Sequence, residues 1–305
     1  LVPQSGSLRI FATSRPLPDI ERALWRSHNK TATHRLQLGE QPDHQTTLRS
    51  YVHLKLHGKD FEDSDWSPSF KEGVASTLFN KSQSMFLWVK LQVKRLEGST
   101  QTEASEILLD LPVDVAATYT RILSEVDKQR QYTVRAVLEC IIAANFDGHS
   151  LSPLQIQEIL RFNLRPTQNR PKSLFVGLDH QKAGAQATLP ERNVDISKYL
   201  PSALLHLKEN GGIQFIHFTV QEYLLSPPQS EDDPRHHFGT SLKDATSTYL
   251  LVLLSALDTM NAGSVPALTR YADQSWYIHT PSALAQDAST NALEHFLNPN
   301  SQSFH

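Results

Sequence analysis

The chain is nearly without sulfur: Cys140 stands alone among 305 residues, and there are two methionines. One thiol closes no intrachain disulfide and builds no multi-cysteine zinc site, which suits a reducing compartment, and a cytoplasmic location is expected. No run approaches the roughly 18 consecutive apolar residues of a membrane span, and the first residues lack the basic and apolar regions of a secretory leader. A membrane partner is therefore not expected. A basic surplus is missing too: 29 Lys and Arg stand against 32 Asp and Glu, a formal net charge of -3, whereas a surface built to neutralise phosphates leaves a cationic excess. Nucleic acid is not expected as a partner either. None of the twelve glycines opens the G-x-x-x-x-G-K-[ST] loop whose successive amides wrap phosphates; the nearest, Gly58-Lys59, is followed by Asp60. No G-x-S-x-G elbow occurs, and Cys140 sits in an apolar helical stretch, so hydrolase and thiol chemistry lack a nucleophile in context. No catalytic residue is assigned, and the chain is not expected to act as an enzyme by itself.

What is present is ordinary for a globular protein, with 39% hydrophobic and 20% charged residues. The most legible stretch is Gly211 to Leu225. Ile213, Phe215 and His217 alternate with Gln214 and Ile216 after two glycines, the pattern of a short half-buried strand leaving a tight turn. The period then changes: Thr219 and Glu222 have capping-box spacing, and Val220, Tyr223 and Leu224 share a helical face, so a helix should start just after His217. An imidazole at that junction is either a packed histidine or a donor to an anion at the helix N-terminus.

Upstream, Leu8 to Thr13 reads as a short buried strand ended by Ser14-Arg15-Pro16, Asp19 to Leu24 as a short helix, and His34 to Leu38 as another strand. From Gln45 the period is helical. Leu48, Tyr51, Val52, Lys55 and Leu56 form one stripe, and Phe70, Val74, Thr77 and Leu78 a second. Met85 to Leu96 is apolar on most sides, the signature of a helix buried among neighbours. Pro112 should break one helix and open the next. Val134 to Ala144 and Leu154 to Leu164 read as helices around a turn at Gly148 to Ser152, and a further helix is expected near Ser197 to Lys208. Arg165 to Arg192, rich in Pro, Gln, Lys and Gly, reads as an insertion. Leu242 to Leu257 is a strongly apolar helix. His53 and His57 stand one helical turn apart and resemble half of a metal site, but the glutamate of H-E-x-x-H is absent and no third ligand is indicated, so no metal is expected.

Several of these segments resemble one family. Phe215-Ile216-His217-Phe218-Thr219-Val220-Gln221-Glu222-Tyr223-Leu224 is similar to the F-x-H-x-[ST]-h-x-E-Y/F-h segment in the winged helix of NACHT-type STAND NTPases, the NLR-like signalling proteins of fungi. Ile10 to Pro16 resembles their sensor-1 strand with its T-S-R arginine. Met85-Phe86-Leu87-Trp88-Val89 resembles their G-M-F-L-W-[AV] helix, with Ser84 where the glycine is usual. Ile107 to Pro112 and Tyr119 to Leu123 resemble the L-x-x-L-P and Y-x-x-I-L segments that follow. At the turn, His149-Ser150-Leu151 stands where relatives carry R-P-L. Ala267 to His279 resembles the helix that precedes ankyrin or WD repeats.

The resemblance implies a mainly α fold. It places the C-terminal remnant of a parallel α/β nucleotide-binding sheet at 1–44, a helical bundle at 45–127, a winged helix at 128–228 with the insertion 165–192, and a further helical region at 229–305. It implies that His217 senses the β-phosphate of ADP and that Arg15 approaches the γ-phosphate. The Walker A and B region is not in the sequence, and the start at Leu1 points to a fragment. No cofactor is therefore expected here, with ATP or ADP and magnesium belonging to a full-length parent. The function implied is a regulatory segment of a nucleotide-controlled switch in self/non-self or stress signalling, with protein partners and homo-oligomerisation in the parent. The alternative is a nucleotide-independent helical scaffold for protein–protein interaction.

Overall fold

In this computed structural model the described residues are 11, 13–14, 18–25, 41–161, 164–166, 174–176, 200–258 and 267–283, and every structural statement concerns these. The chain divides into two units, residues 1–47 and 48–305. The first contains α1 (Pro18–Trp25), started by a proline whose missing amide costs nothing in a first turn and closed on itself by Arg22, whose Nε donates to the Pro18 carbonyl at 3.1 Å. Of the parallel strand expected over Leu8 to Thr13, Leu8, Arg9, Ile10 and Ala12 lie outside the described residues; Phe11 and Thr13 are in no strand, and Phe11 is 88% exposed. A strand exists only through a neighbour's ladder, and the two sheets among the described residues are both antiparallel pairs in the second unit. Arg15, and the strand expected over His34 to Leu38, lie outside the described residues.

Helix α2 (Pro42–Leu56) runs from the first unit into the second, where it buries Leu48, Val52 and Leu56 of the stripe read from the sequence, while Tyr51 is half-buried and Lys55 exposed. Ser67 caps α3 (Pro68–Lys81) by accepting from the Phe70 amide, and α3 buries Val74 and Leu78. Helix α4 (Phe86–Leu96) buries Trp88, Val89, Leu91, Gln92, Val93 and Leu96, so it is enclosed on most sides. Thr100 and Glu103 form a complete capping box on α5 (Gln101–Leu109). The next helix, α6 (Val115–Ser124), is opened by Asp114, which accepts from Ala117, rather than by Pro112 as the sequence suggested. Pro112 instead offers its carbonyl to the buried Trp88 indole at 3.0 Å. One hydrophobic core joins α2, α3, α4 and α5, with Trp66, Trp88 and Leu111 among its members.

A second core is built around α7 (Gln131–Phe146), buried continuously from Val134 to Ala144. Its buried carboxylate, Glu139, accepts from Arg135 Nε at 3.0 Å and from the hydroxyls of Thr240 and Thr248 at 2.8 and 2.7 Å, so the charge is paired and hydrogen-bonded. Helix α8 (Pro153–Arg161) ends before Leu164, which the sequence had placed inside it. Pro166 disfavours a helical Arg165, and Leu164–Pro166 (β1) pairs antiparallel with Leu174–Val176 (β2). The helix expected near Ser197 to Lys208 is replaced by a 3-10 turn, Ser202–Leu204, and by β3 (Leu205–Leu207), antiparallel to β4 (Ile213–Phe215). Pro201 precedes the turn, and the five-residue loop from Lys208 to Gly212 closes the hairpin, Lys208 donating to the Gly212 carbonyl at 2.8 Å. Leu151 bridges Ile213 beside it. Helices α9 (Phe218–Leu225), α10 (Arg235–Phe238), α11 (Leu242–Asp258) and α12 (Ala267–Ala283) complete the core, with α11 packed on α7 and α12. The described fold is mainly helical, and no described helix is long and apolar enough to cross a membrane.

Candidate functional site

Two local structures meet at one cleft. The first is the end of α7. Gly148, at φ +75°, takes the left-handed conformation that lets its amide reach the Asn145 carbonyl and the His149 amide reach that of Ala144, a Schellman closure. The chain then turns through Ser150 to Leu151, whose carbonyl accepts from Ile213 at 2.7 Å. This bridge holds the turn against the β3–β4 hairpin so closely that a Cβ on Gly212 would lie 2.6 Å from that of Ser150. The His149 ring stacks on Tyr271 of α12, with centroids 4.2 Å apart.

The second is the junction of β4 and α9. His217 is extended, at φ -158°, and is itself the N-cap of α9: Nδ1 accepts from the Thr219 amide at 3.3 Å. The expected Thr219–Glu222 capping box is not what starts this helix. Thr219 is already inside it, and its hydroxyl lies 2.9 Å from His217 Nδ1 and 2.8 Å from the Tyr119 hydroxyl. An amide nitrogen only donates, so Nδ1 is the unprotonated nitrogen and the ring proton sits on Nε2. The Thr219 hydroxyl then donates to Nδ1 and accepts from Tyr119. Burial pushes the His217 pKa below the ordinary histidine value, with Glu222 pulling the other way.

Between the two lies a cleft of about 340 Å³, lined by Ser150, Lys208, Gln214, His217 and Gln221, with His149 in its wall. Lys208 Nζ donates to Ser150 Oγ at 3.2 Å. The cleft is thus lined by one ammonium, one imidazole, a hydroxyl and side-chain amides beside a helix start, a set that suits an anionic oxygen. Of the two residues singled out in sequence, His217 is in this cleft and Arg15 is outside the described residues. Lys208 and Tyr119 were missed. The alternation of Leu205 and Leu207 ahead of two glycines was the signal that would have put Lys208 at a hairpin rather than in a helix. Compared with family models, with curated proteins and with solved structures, the chain matches none.

Proposed function

We propose that the chain is a regulatory segment of a NACHT-type nucleotide switch, in which His217 donates from Nε2 to a phosphate of bound ADP and so favours a closed state. The observation that carries this reading is that the Thr219 amide donates to His217 Nδ1 beside a cleft that His217 and Lys208 both line, which leaves Nε2 to carry the ring proton. The chain order α7, the Leu151 bridge, α8, the β3–β4 hairpin and α9 supports a winged helix, with His217 at the end of its last strand. The phosphate loop and magnesium ligands belong elsewhere in the parent, with Arg15 near the γ-phosphate, so this segment regulates a nucleotide site and does not hydrolyse nucleotide alone. Opening would release surfaces for homo-oligomerisation and protein partners.

The test uses the longest natural chain that includes these residues, and reads ADP release and oligomer fraction for His217→Ala and His217→Leu. A hydrogen bond to a charged group contributes about 1.5–3 kcal/mol, so both variants should release ADP roughly ten- to hundredfold faster and oligomerise more. Wild-type behaviour of His217→Leu would make His217 a packing residue. The second reading, a nucleotide-independent scaffold, is favoured by Leu109 at the end of α5 and Val113 in the connection to α6, apolar side chains 86% and 74% exposed. It predicts no ADP binding in the same experiment.

A further inference from the structure

On the other core, α2 and α3 bring together three side chains far from the cleft sequence. His53 lies on α2 and His57 just past its last residue, where the His57 amide still donates to the His53 carbonyl at 3.1 Å, so the two stand one turn apart and their rings stack with centroids 4.2 Å apart. Glu72, on α3, reaches both: its Oε1 lies 3.0 Å from His53 Nε2 and 3.4 Å from His57 Nε2. The three ligand atoms all lie within 4.8 Å of one another. In a tetrahedral zinc site, with bonds of about 2.0–2.1 Å, neighbouring ligand atoms are roughly 3.3 Å apart. The two nitrogen–oxygen separations already bracket that edge. We propose that His53, His57 and Glu72 form a divalent transition-metal site of the zinc type, which clips α2 to α3.

The backbone beneath the ligands is held in place. Val52 and Leu56, flanking the histidines on α2, and Val74 and Leu78 on α3 are buried in the same core, so the two helices present the ligands from fixed positions. The ligand side chains are open to solvent, 53% for His53, 36% for His57 and 58% for Glu72, which gives an ion an entry path and leaves the fourth position to water. Two imidazoles with one carboxylate favour zinc, cobalt, nickel or copper over magnesium and calcium, which prefer all-oxygen shells. The glutamate that H-E-x-x-H would place on the same helix comes here from the next one. The site is independent of the nucleotide reading.

The test is calorimetric titration of the chain with zinc chloride alone, paired with thermal unfolding. One equivalent of zinc should bind and raise Tm by a few degrees at saturating ion, because ligation favours the folded state by mass action. Cobalt should give the visible absorption of a tetrahedral ion, and magnesium should give no binding. His53→Ala and His57→Ala should each lower zinc affinity more than ~10-fold, and Glu72→Gln several-fold, with the metal-free Tm of each within a few degrees of the wild type because all three positions are exposed. The double variant His236→Ala/His237→Ala, which removes the adjacent histidine pair of α10, should bind zinc as the wild type does. Absence of zinc binding at millimolar ion would overturn the proposal. So would zinc affinity or a Tm rise that survives loss of both His53 and His57.

Discussion

At the scale of single residues the second core is notable for the charges it tolerates. Asp233 and Arg235 are both buried, and Arg235 donates to the Asp233 carboxylate through Nε and Nη2 while its Nη1 donates to Ser226 Oγ. The guanidinium also lies over the Tyr223 ring, 4.5 Å from its centroid. The Arg235 hydrogen bonds, reinforced by the amides of Gln229 and Arg235, hold the Asp233 carboxyl well below the usual carboxylate range. A carboxyl whose folded pKa is lowered contributes stability that is full above its unfolded pKa of about 3.9 and lost as pH falls towards the folded value. Urea midpoints followed from pH 6 to pH 2 should therefore drop more steeply for the wild type than for Asp233→Asn, which has no proton to take up. Parallel slopes would show that the pair is electrostatically silent. Ser84 and Gln83 illustrate a different cost: both have positive φ, 63° and 48°, just before α4. Only glycine adopts that region freely, so both residues carry a backbone cost at the entry to α4.

Among the elements, the β3–β4 hairpin decides the geometry of the cleft, and its glycines have separate tasks. Gly211, at φ +79°, makes the turn, while Gly212 admits the Ser150 turn, because any Cβ there would overlap Ser150. Gly73, inside α3, has nothing within 4 Å of where a Cβ would stand. Alanine should thus act in opposite directions at the two sites. Gly212→Ala is expected to destabilise by about 1–3 kcal/mol through overpacking, and Gly73→Ala to stabilise by about 0.5–1 kcal/mol through helix propensity. Urea unfolding of the two variants checks this, and a neutral Gly212→Ala would mean that the hairpin can lift from the turn without cost.

Across the second unit, α4 joins the two cores: Leu91 belongs to the core around α7, while Trp88, Val89, Val93 and Leu96 belong to the other. Helix α6 reinforces the joint, since its Val115 packs against both cores. A shared helix and a shared side chain leave little apolar surface that one core can expose without the other. The two cores should therefore unfold together. Tryptophan fluorescence of a Trp25→Phe/Trp276→Phe variant, in which the buried Trp66 and Trp88 remain to report on the core of α2 to α5, and far-UV circular dichroism, weighted towards α7, α11 and α12, should give coincident denaturant midpoints. Separated midpoints would show that α4 is a hinge between two independent cores.

The sequence by itself determined the helices that bury a stripe or a whole segment, as at Leu48, Val52 and Leu56, at Phe86–Leu96 and at Val134 to Ala144, because burial imposes its period on neighbouring residues. It also located His217 at the change from strand to helix. Tertiary structure decided everything that depends on a distant partner. Leu205–Leu207 became a strand because Ile213–Phe215 pairs with it, and the Thr219 hydroxyl found the Tyr119 hydroxyl a hundred positions away. Lys208 entered the cleft through the hairpin, and Glu72 reached His53 and His57 from a second helix. Periodicity is a property of adjacent residues, whereas a site is made where separate segments meet, and chain order does not specify that meeting point until the cores have packed.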